Sequence, residues 1–199
     1  MNEDLHAPFA RATRAAFATP LRHAFWISPV NPEEWAHAWQ EVRPLCFPRD
    51  RTELESVHTD LEKERFAALG RSLGHDPLCH HLVIRREGSD LVGVVRGSQR
   101  LRADWHMSIT AINPAFQGLG IYTELLQRLL PIFKQAGFRR VVSRHHADNS
   151  SVLVPKLKAG FIITGVEISP KRGLMIELSY PLGDDLRAAY AQRIDPDRC

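Results

Sequence analysis

Between Asn113 and Leu130 the chain reads NPAFQGLGIYTELLQRLL: a proline loop, two glycines one residue apart, then an unbroken helical pattern. A helix begins with unsatisfied backbone N–H groups and the positive end of its dipole, so it holds an anion without needing a charged side chain. Gly118 and Gly120 remove Cβ atoms where a phosphate must approach those amides, and they permit the left-handed conformations that turn successive N–H groups inward. The stretch therefore reads as a pyrophosphate-binding loop, set against the plainer reading of two glycines in a tight turn. A nucleoside triphosphate loop needs G-x-x-x-x-G-K-[ST], and no lysine follows these glycines. A dinucleotide fold wants G-x-G-x-x-G directly after a strand and an acidic residue about 20 positions on. Here Thr123 stands for the third glycine, Asn113 to Gln117 intervene, and Phe138, Arg139 and Arg140 occupy the acid's place.

The flanking pattern supplies a strand on each side of that helix. DWHMSITAI, from Asp104 to Ile112, alternates, so Trp105, Met107, Ile109 and Ala111 are expected on one face and Asp104, His106, Ser108 and Thr110 on the other. The helix is expected to run to about Ala136 with Gly137 ending it, kinked or loosened at Pro131. RRVVSRH follows as a strand, and strand, helix, strand implies a parallel pair joined by a right-handed crossover. NSSVLVPKLKAGF predicts a short helix with Asn149 at its cap and Gly160 past its end. VEIS and LMIEL flank the Pro170 to Gly173 loop as a closing hairpin, and DDLRAAYAQRI forms a last short helix or frays.

Upstream, Phe9, Thr13 and Phe17 fall on one side of a short helix that docks on the body or on a partner, the alternative being a loose tail. HAFWISPV reads as an opening strand, and NPEEWAHAWQEVRPL starts a helix with Asn31 capping, Pro32 in the first turn and Glu33 and Glu34 at the positive end. A second helix is expected from Thr52 to Leu73. CHHLVIRREG and DLVGVVRGSQ meet across a short turn as a hairpin. At 199 residues the chain fits one domain. We divide it into an extension over 1–22, a body over 23–182 and a tail over 183–199. With 44% apolar and 25% charged residues and no spanning run, the composition is that of a soluble protein, and a cytoplasmic location is expected. Cys46, Cys79 and Cys199 lack paired spacing, and no metal is expected. The net charge of +3 is scattered, so anionic ligands are mildly favoured and nucleic acid and membrane are not expected as partners.

Two blocks together resemble the GNAT superfamily of N-acetyltransferases. Its coenzyme A motif, Arg or Gln, two residues, Gly, one residue, then Gly or Ala, is matched by Gln117, Gly118, Leu119, Gly120 and Ile121, with Tyr122 replacing the last small residue. Its second block is matched by Asn149 and the Gly-Phe ending at Phe161. The resemblance implies a mixed α/β fold: a central, mostly antiparallel sheet with one splayed parallel strand pair, flanked by helices. It further implies acetyl-CoA as cosubstrate and an amine acceptor that the sequence does not identify, with a homodimer left open. The pantetheine arm would pair with backbone of Ala111 and Ile112, the amides of Gln117, Gly118, Leu119, Gly120, Ile121 and Tyr122 would hold the pyrophosphate, and Asn149 would meet the coenzyme beyond it.

For catalysis, His106 and His145 are the candidate bases, each on a strand expected to flank the thioester, with structural histidines as the alternative. The family often supplies the leaving-group acid from a Tyr seven residues after the motif Asn; Lys156 stands there instead. Its pattern favours a solvated helix lysine over an acid or a phosphate contact. That departure keeps a second function open, a coenzyme-binding sensor or partner module without turnover. Glu167 and Glu177 are candidates for orienting a cationic substrate, and Trp26, Trp35, Trp39 and Trp105 for lining an apolar pocket, although Trp35 and Trp39 have core spacing.

Overall fold

The computed structural model describes residues 6–47, 64–65, 77–87, 90–100, 103–169 and 173–194. Apart from Glu64 and Arg65, the helix expected from Thr52 to Leu73 lies outside the described residues, as does the turn over 170–172. The elements in order are α1 (His6–Ala16), β1 (Phe25–Pro29), α2 (Pro32–Cys46), β2 (Cys79–Arg86), β3 (Leu91–Arg100), β4 (Asp104–Ile112), α3 (Ile121–Gln135), β5 (Arg140–His146), α4 (Ser150–Lys158), β6 (Ile162–Ser169), β7 (Gly173–Pro181) and α5 (Asp184–Ile194). Seven strands form one sheet in the order β1-β2-β3-β4-β5-β7-β6. Every neighbouring pair is antiparallel except β4 and β5, which run parallel.

Local chemistry accounts for the helix ends. Asn31 accepts from the Glu34 amide at 2.8 Å while Glu34 accepts from the Asn31 amide at 3.2 Å, a reciprocal capping box that starts α2. Gly137 and Gly160 adopt φ of 83° and 97° just beyond α3 and α4, the left-handed turn that stops a helix. α3 runs through Pro131 as one continuous element.

Two apolar cores sandwich the sheet. On one face α1, α3 and α4 cover Leu82, Ile84, Val95, Trp105, Met107, Val141 and Leu178. On the other, Trp35, Ala38 and Val42 of α2 cover Val83, Val94 and Ala111. These are called the helix-pair face and the α2 face below. The α1 helix belongs to the first core. Phe9 lies 4.4 Å from His80, stacked, and 5.2 Å from Trp105 (ring centroids), with Phe133 and Phe138 around them. Thr13 donates to the Phe9 carbonyl and so accepts from His80 Nε2, at 2.6 Å, which fixes the ring, while burial lowers His80 to about 3 and keeps it neutral. Phe9→Ala removes the centre of that stack, and it is expected to cost about 3–5 kcal/mol of stability, read as a lowered melting temperature.

One expectation about β4 is corrected. β3 and β4 slip register between Arg96 and Gly97: Arg96 faces Ile109, Gly97 faces Met107, and Ser108 is the extra residue. A bulge of one residue inverts the pleat beyond it. Trp105 and Met107 therefore lie in the helix-pair core, whereas Ile109 and Ala111 pack with the α2 core instead of sharing their face.

Candidate functional site

The parallel pair holds together only at its start. Asp104, Trp105 and His106 of β4 pair with Arg140, Val141 and Val142 of β5, and there the pairing stops, while β5 stays paired to β7 as far as His146. The start is pinned by the Asp104 carboxylate, which accepts from Arg140 Nη2 at 2.8 Å and Nε at 3.0 Å. Above it the strands part, next to the Ser108 bulge that bends β4. The result is a gap in the sheet's hydrogen bonding, called the cleft below, with unused backbone on the β4 side.

Which backbone groups face the cleft follows from the ladder. The Asn113 amide donates to the Val92 carbonyl at 2.8 Å, so Asn113–Val92 and Ala111–Val94 are the hydrogen-bonded pairs. Ala111 thus spends its N–H and C=O on β3, and the groups turned to the cleft belong to Thr110 and Ile112. Ala111, expected to meet the pantetheine arm, therefore has no backbone group turned to the cleft, whereas Ile112 does. Strand alternation from Asn113 could have shown this without coordinates.

At the end of β4, Asn113 Oδ1 accepts from the Ala115 amide at 3.0 Å and shapes a single 3-10 turn, Pro114–Phe116. The Gln117 amide donates back to the Pro114 carbonyl at 3.2 Å and its side chain to the Ile112 carbonyl at 2.9 Å. Gln117 therefore braces the loop, and its amide is already engaged by the Pro114 carbonyl. Gly118 and Gly120 have φ of 79° and 78°, and a Cβ on Gly118 would meet nothing within 4 Å. Among the described residues no protein group accepts from the amides of Gly118, Leu119 or Gly120. Ile121 and Tyr122 open α3, where amides have no intrahelical partner. Leu119 is exposed, Ile121 is buried beneath the turn, and burial raises the Tyr122 phenol far above its ordinary range. Five consecutive amides on an open turn fit a diphosphate. Glu124, in the first turn of α3, is held by Arg128 at 2.7 Å and by the amide and guanidinium of Arg22 at 3.0 and 3.3 Å. Arg128 also donates to the carbonyls of Ala16, Thr19 and Pro20.

Lys156 overturns its expected place in solvent. It is 1% exposed, its ammonium donating to Ser143 Oγ and, at 3.9 Å, to Met107 Sδ, with the Phe161 ring centroid at 4.6 Å. Met107 and Ser143 are the first unpaired residues on the two strands, so α4 delivers this side chain to the point where they part. Burial pulls its ammonium down to about 7. His145 Nε2 lies 3.0 Å from the same Ser143 Oγ, making a Lys156–Ser143–His145 chain on the helix-pair face. Burial, then the charge of Lys156, lowers His145 to about 3. Ser143 was missed in the sequence; its signal was the two-residue spacing that puts it on the strand face of His145.

His106 stands on the α2 face, since it pairs laterally with Val142 rather than with Ser143. Its Nε2 lies 3.4 Å from Arg100 Nη2 and its Nδ1 3.1 Å from Ser108 Oγ. Because Arg100 can only donate, Nε2 accepts, and the proton of the ring sits on Nδ1 toward Ser108. Burial first, then Arg100, Arg144 and Lys156, lowers His106 to about 4. All three catalytic candidates thus surround the cleft, one on the α2 face and two on the other. Asn149 precedes α4 as expected, yet its Oδ1 accepts from the Ser151 hydroxyl at 2.7 Å rather than from a helix amide. Glu167 and Glu177 both bind Arg144, at 3.1 and 3.2 Å. Trp35 stacks on Trp39 at 5.7 Å in the α2 core, and Trp105 lies in the opposite one.

A family model described as Acetyltransferase (GNAT) family matches residues 33–153. Among solved structures, an acetyltransferase of the GNAT family from Streptococcus pneumoniae is similar with a TM-score of 0.57 at 20% identity, over 80% of this chain and 99% of that one. The ribosomal-protein-S18-alanine N-acetyltransferase from Escherichia coli gives 0.56 at 15% identity, over 81% and 97%. The protein yncA from Salmonella typhimurium, solved with its cofactor acetyl-CoA, gives 0.55 at 20% identity, over 81% and 95%. At such identities the likeness concerns the fold. No curated protein matches the sequence at a significant level.

Proposed function

Since the chain belongs to the GNAT acetyltransferase family, we propose that it moves the acetyl group of acetyl-CoA to an amine held at the α2 face of the strand cleft. The observation that carries this reading is the meeting of three features at one place: a turn of free amides, a strand pair that parts directly below it, and a buried lysine at the fork.

In this reading the amides from Gly118 to Tyr122 hold the diphosphate, and Thr110 and Ile112 offer backbone to the pantetheine arm. A cleft-facing N–H of β4 polarises the acetyl carbonyl, a preorganised donor of the oxyanion type. The amine nitrogen forms a bond to the carbonyl carbon and the carbon–sulfur bond breaks. The amine proton becomes acidic as that bond forms, and His106 Nε2, neutral at physiological pH, accepts it directly or through water. Lys156 gives a proton to the departing thiolate, and Ser143 and His145 hold its Nζ toward the cleft. Base and acid thus stand on opposite sides of the reacting carbonyl.

A melting curve with and without acetyl-CoA tests the first half. Ligand at about 100 times its dissociation constant is expected to add about 2.7 kcal/mol of stability, and release of free thiol with an amine panel tests the second half. No shift at saturation would refute coenzyme binding. A full shift with neither hydrolysis nor transfer over the panel would favour the coenzyme-binding sensor.

A further inference from the structure

The α2 face beside the cleft is cationic in an unbalanced way. Strand β3 sends Arg96, Ser98 and Arg100 to that face, opposite Ile109, His106 and Asp104 of β4. The other charges there are matched: Asp104 serves Arg140 and Arg139, and Glu167 and Glu177 serve Arg144. Among the described residues, Arg96 lies over the face of Trp35, 5.7 Å from the ring centroid, and Arg100 meets the lone pair of His106 Nε2. Neither guanidinium has a carboxylate partner among the described residues. Both are exposed, as a ligand requires. They are separated by about 13 Å of strand, within reach of one small molecule for two long side chains.

We propose that the acceptor is an amine carrying its own anionic oxygen group, a carboxylate or a phosphate, which Arg100 grips, with Arg96 beside it, while the amine enters the cleft by His106. This deepens the acetyl-transfer reading and rests on it. The geometry gives the anion a second task. In the free protein Arg100 points a donor at the only nitrogen of His106 able to accept a proton. An anionic group draws that guanidinium to itself in a charge-assisted bond, which is stronger than the long contact to a neutral imidazole. Seating the correct acceptor therefore frees His106 Nε2 at the moment the amine needs it, and an amine without the anion leaves the base covered.

The test compares matched acceptors: L-phenylalanine with 2-phenylethylamine, L-tryptophan with tryptamine, and O-phosphoethanolamine with ethanolamine, by thiol release from acetyl-CoA. One charge-assisted contact corresponds to about a 10- to 100-fold change, so kcat/KM is expected to favour the anionic member of at least one pair by that factor, and the pair shows whether carboxylate or phosphate is taken. Arg100→Ala should erase the preference from both sides: the anionic member loses its grip and slows, while the uncharged member, with His106 Nε2 no longer covered, reacts at least as fast as with wild type. Arg100→Lys should restore part of it, and the acetyl-CoA melting shift should be unchanged in both variants. Equal or faster turnover of the uncharged members, turnover confined to peptides without a nearby acid, or an equal loss for both members in Arg100→Ala would overturn the proposal. If acetyl-CoA shifts the melting curve but none of the six amines reacts, calorimetry of the anionic members with coenzyme A bound decides: uptake that Arg100→Ala abolishes supports it, and no uptake refutes it. Loss of the acetyl-CoA shift in wild type would instead refute the underlying reading.

Discussion

Replacing Lys156 by methionine is expected to slow acetyl transfer by about 10²–10⁴-fold, the range of a positioned general acid, while the protein becomes more stable at neutral pH. The second half separates a functional lysine from a structural one. Lys156 is folded with an ammonium lowered from 10.5 to about 7. Between those values the unfolded chain binds a proton that the folded chain does not, so stability rises as pH climbs through that window and is lowest below it. Methionine fills a similar volume, replaces the ammonium's contacts to Met107 and Phe161 by apolar ones, and carries no ion to desolvate. Its melting temperature should exceed that of wild type most at pH 7 and below, and the gap should close toward pH 10. Wild-type turnover should fall on the alkaline side of about 7 as the acid form is lost, unless deprotonation of the acceptor masks it, and the variant should lack that limb. Unchanged turnover in Lys156→Met would remove the lysine from the chemistry and leave its burial unexplained.

Gly120→Glu is expected to abolish the melting shift with acetyl-CoA. Gly120 caps α3 with φ of 78°, where a side chain is strained, and a Cβ there would lie 3.4 Å from the Arg22 side chain. A glutamate at this point brings its own anion to the helix start and to Arg22, so it competes with a diphosphate for the same amides. Gly120→Asn is the control, because asparagine tolerates the left-handed conformation and adds no charge. It should keep the fold and part of the shift. A normal shift in Gly120→Glu would mean that the diphosphate lies elsewhere.

The turn, the hairpins, the cap at Asn31 and the parallel pair were legible because each is written in neighbouring residues: turn glycines, alternation, a strand–helix–strand succession and capping side chains. Two features were not. DWHMSITAI alternates without a fault, yet Ser108 is an extra residue against β3, and an insertion is defined only by the partner strand. Lys156 sits in a nine-residue helix with Pro155 before it and Lys158 after it, a pattern with no clear apolar stripe. Its burial is imposed by β5, by Met107 of β4 and by Phe161, which the chain brings together only in three dimensions. Even the polar chain Lys156–Ser143–His145 required one fact that spacing alone does not hold, that α4 crosses over β5 at Ser143.

Glu124 has an effect on the neighbouring amides that its contacts make plain. An acidic residue in the first turn of a helix ordinarily quenches the field there, a self-supplied counter-ion. In this chain that carboxylate is already neutralised from two sides by Arg22 and Arg128, and Arg128 also clasps the segment after α1. The attractive potential at residues 118–122 is thereby left undiminished for an incoming anion, and the segment leading out of α1 becomes a structural guarantor of how strongly that anion is felt.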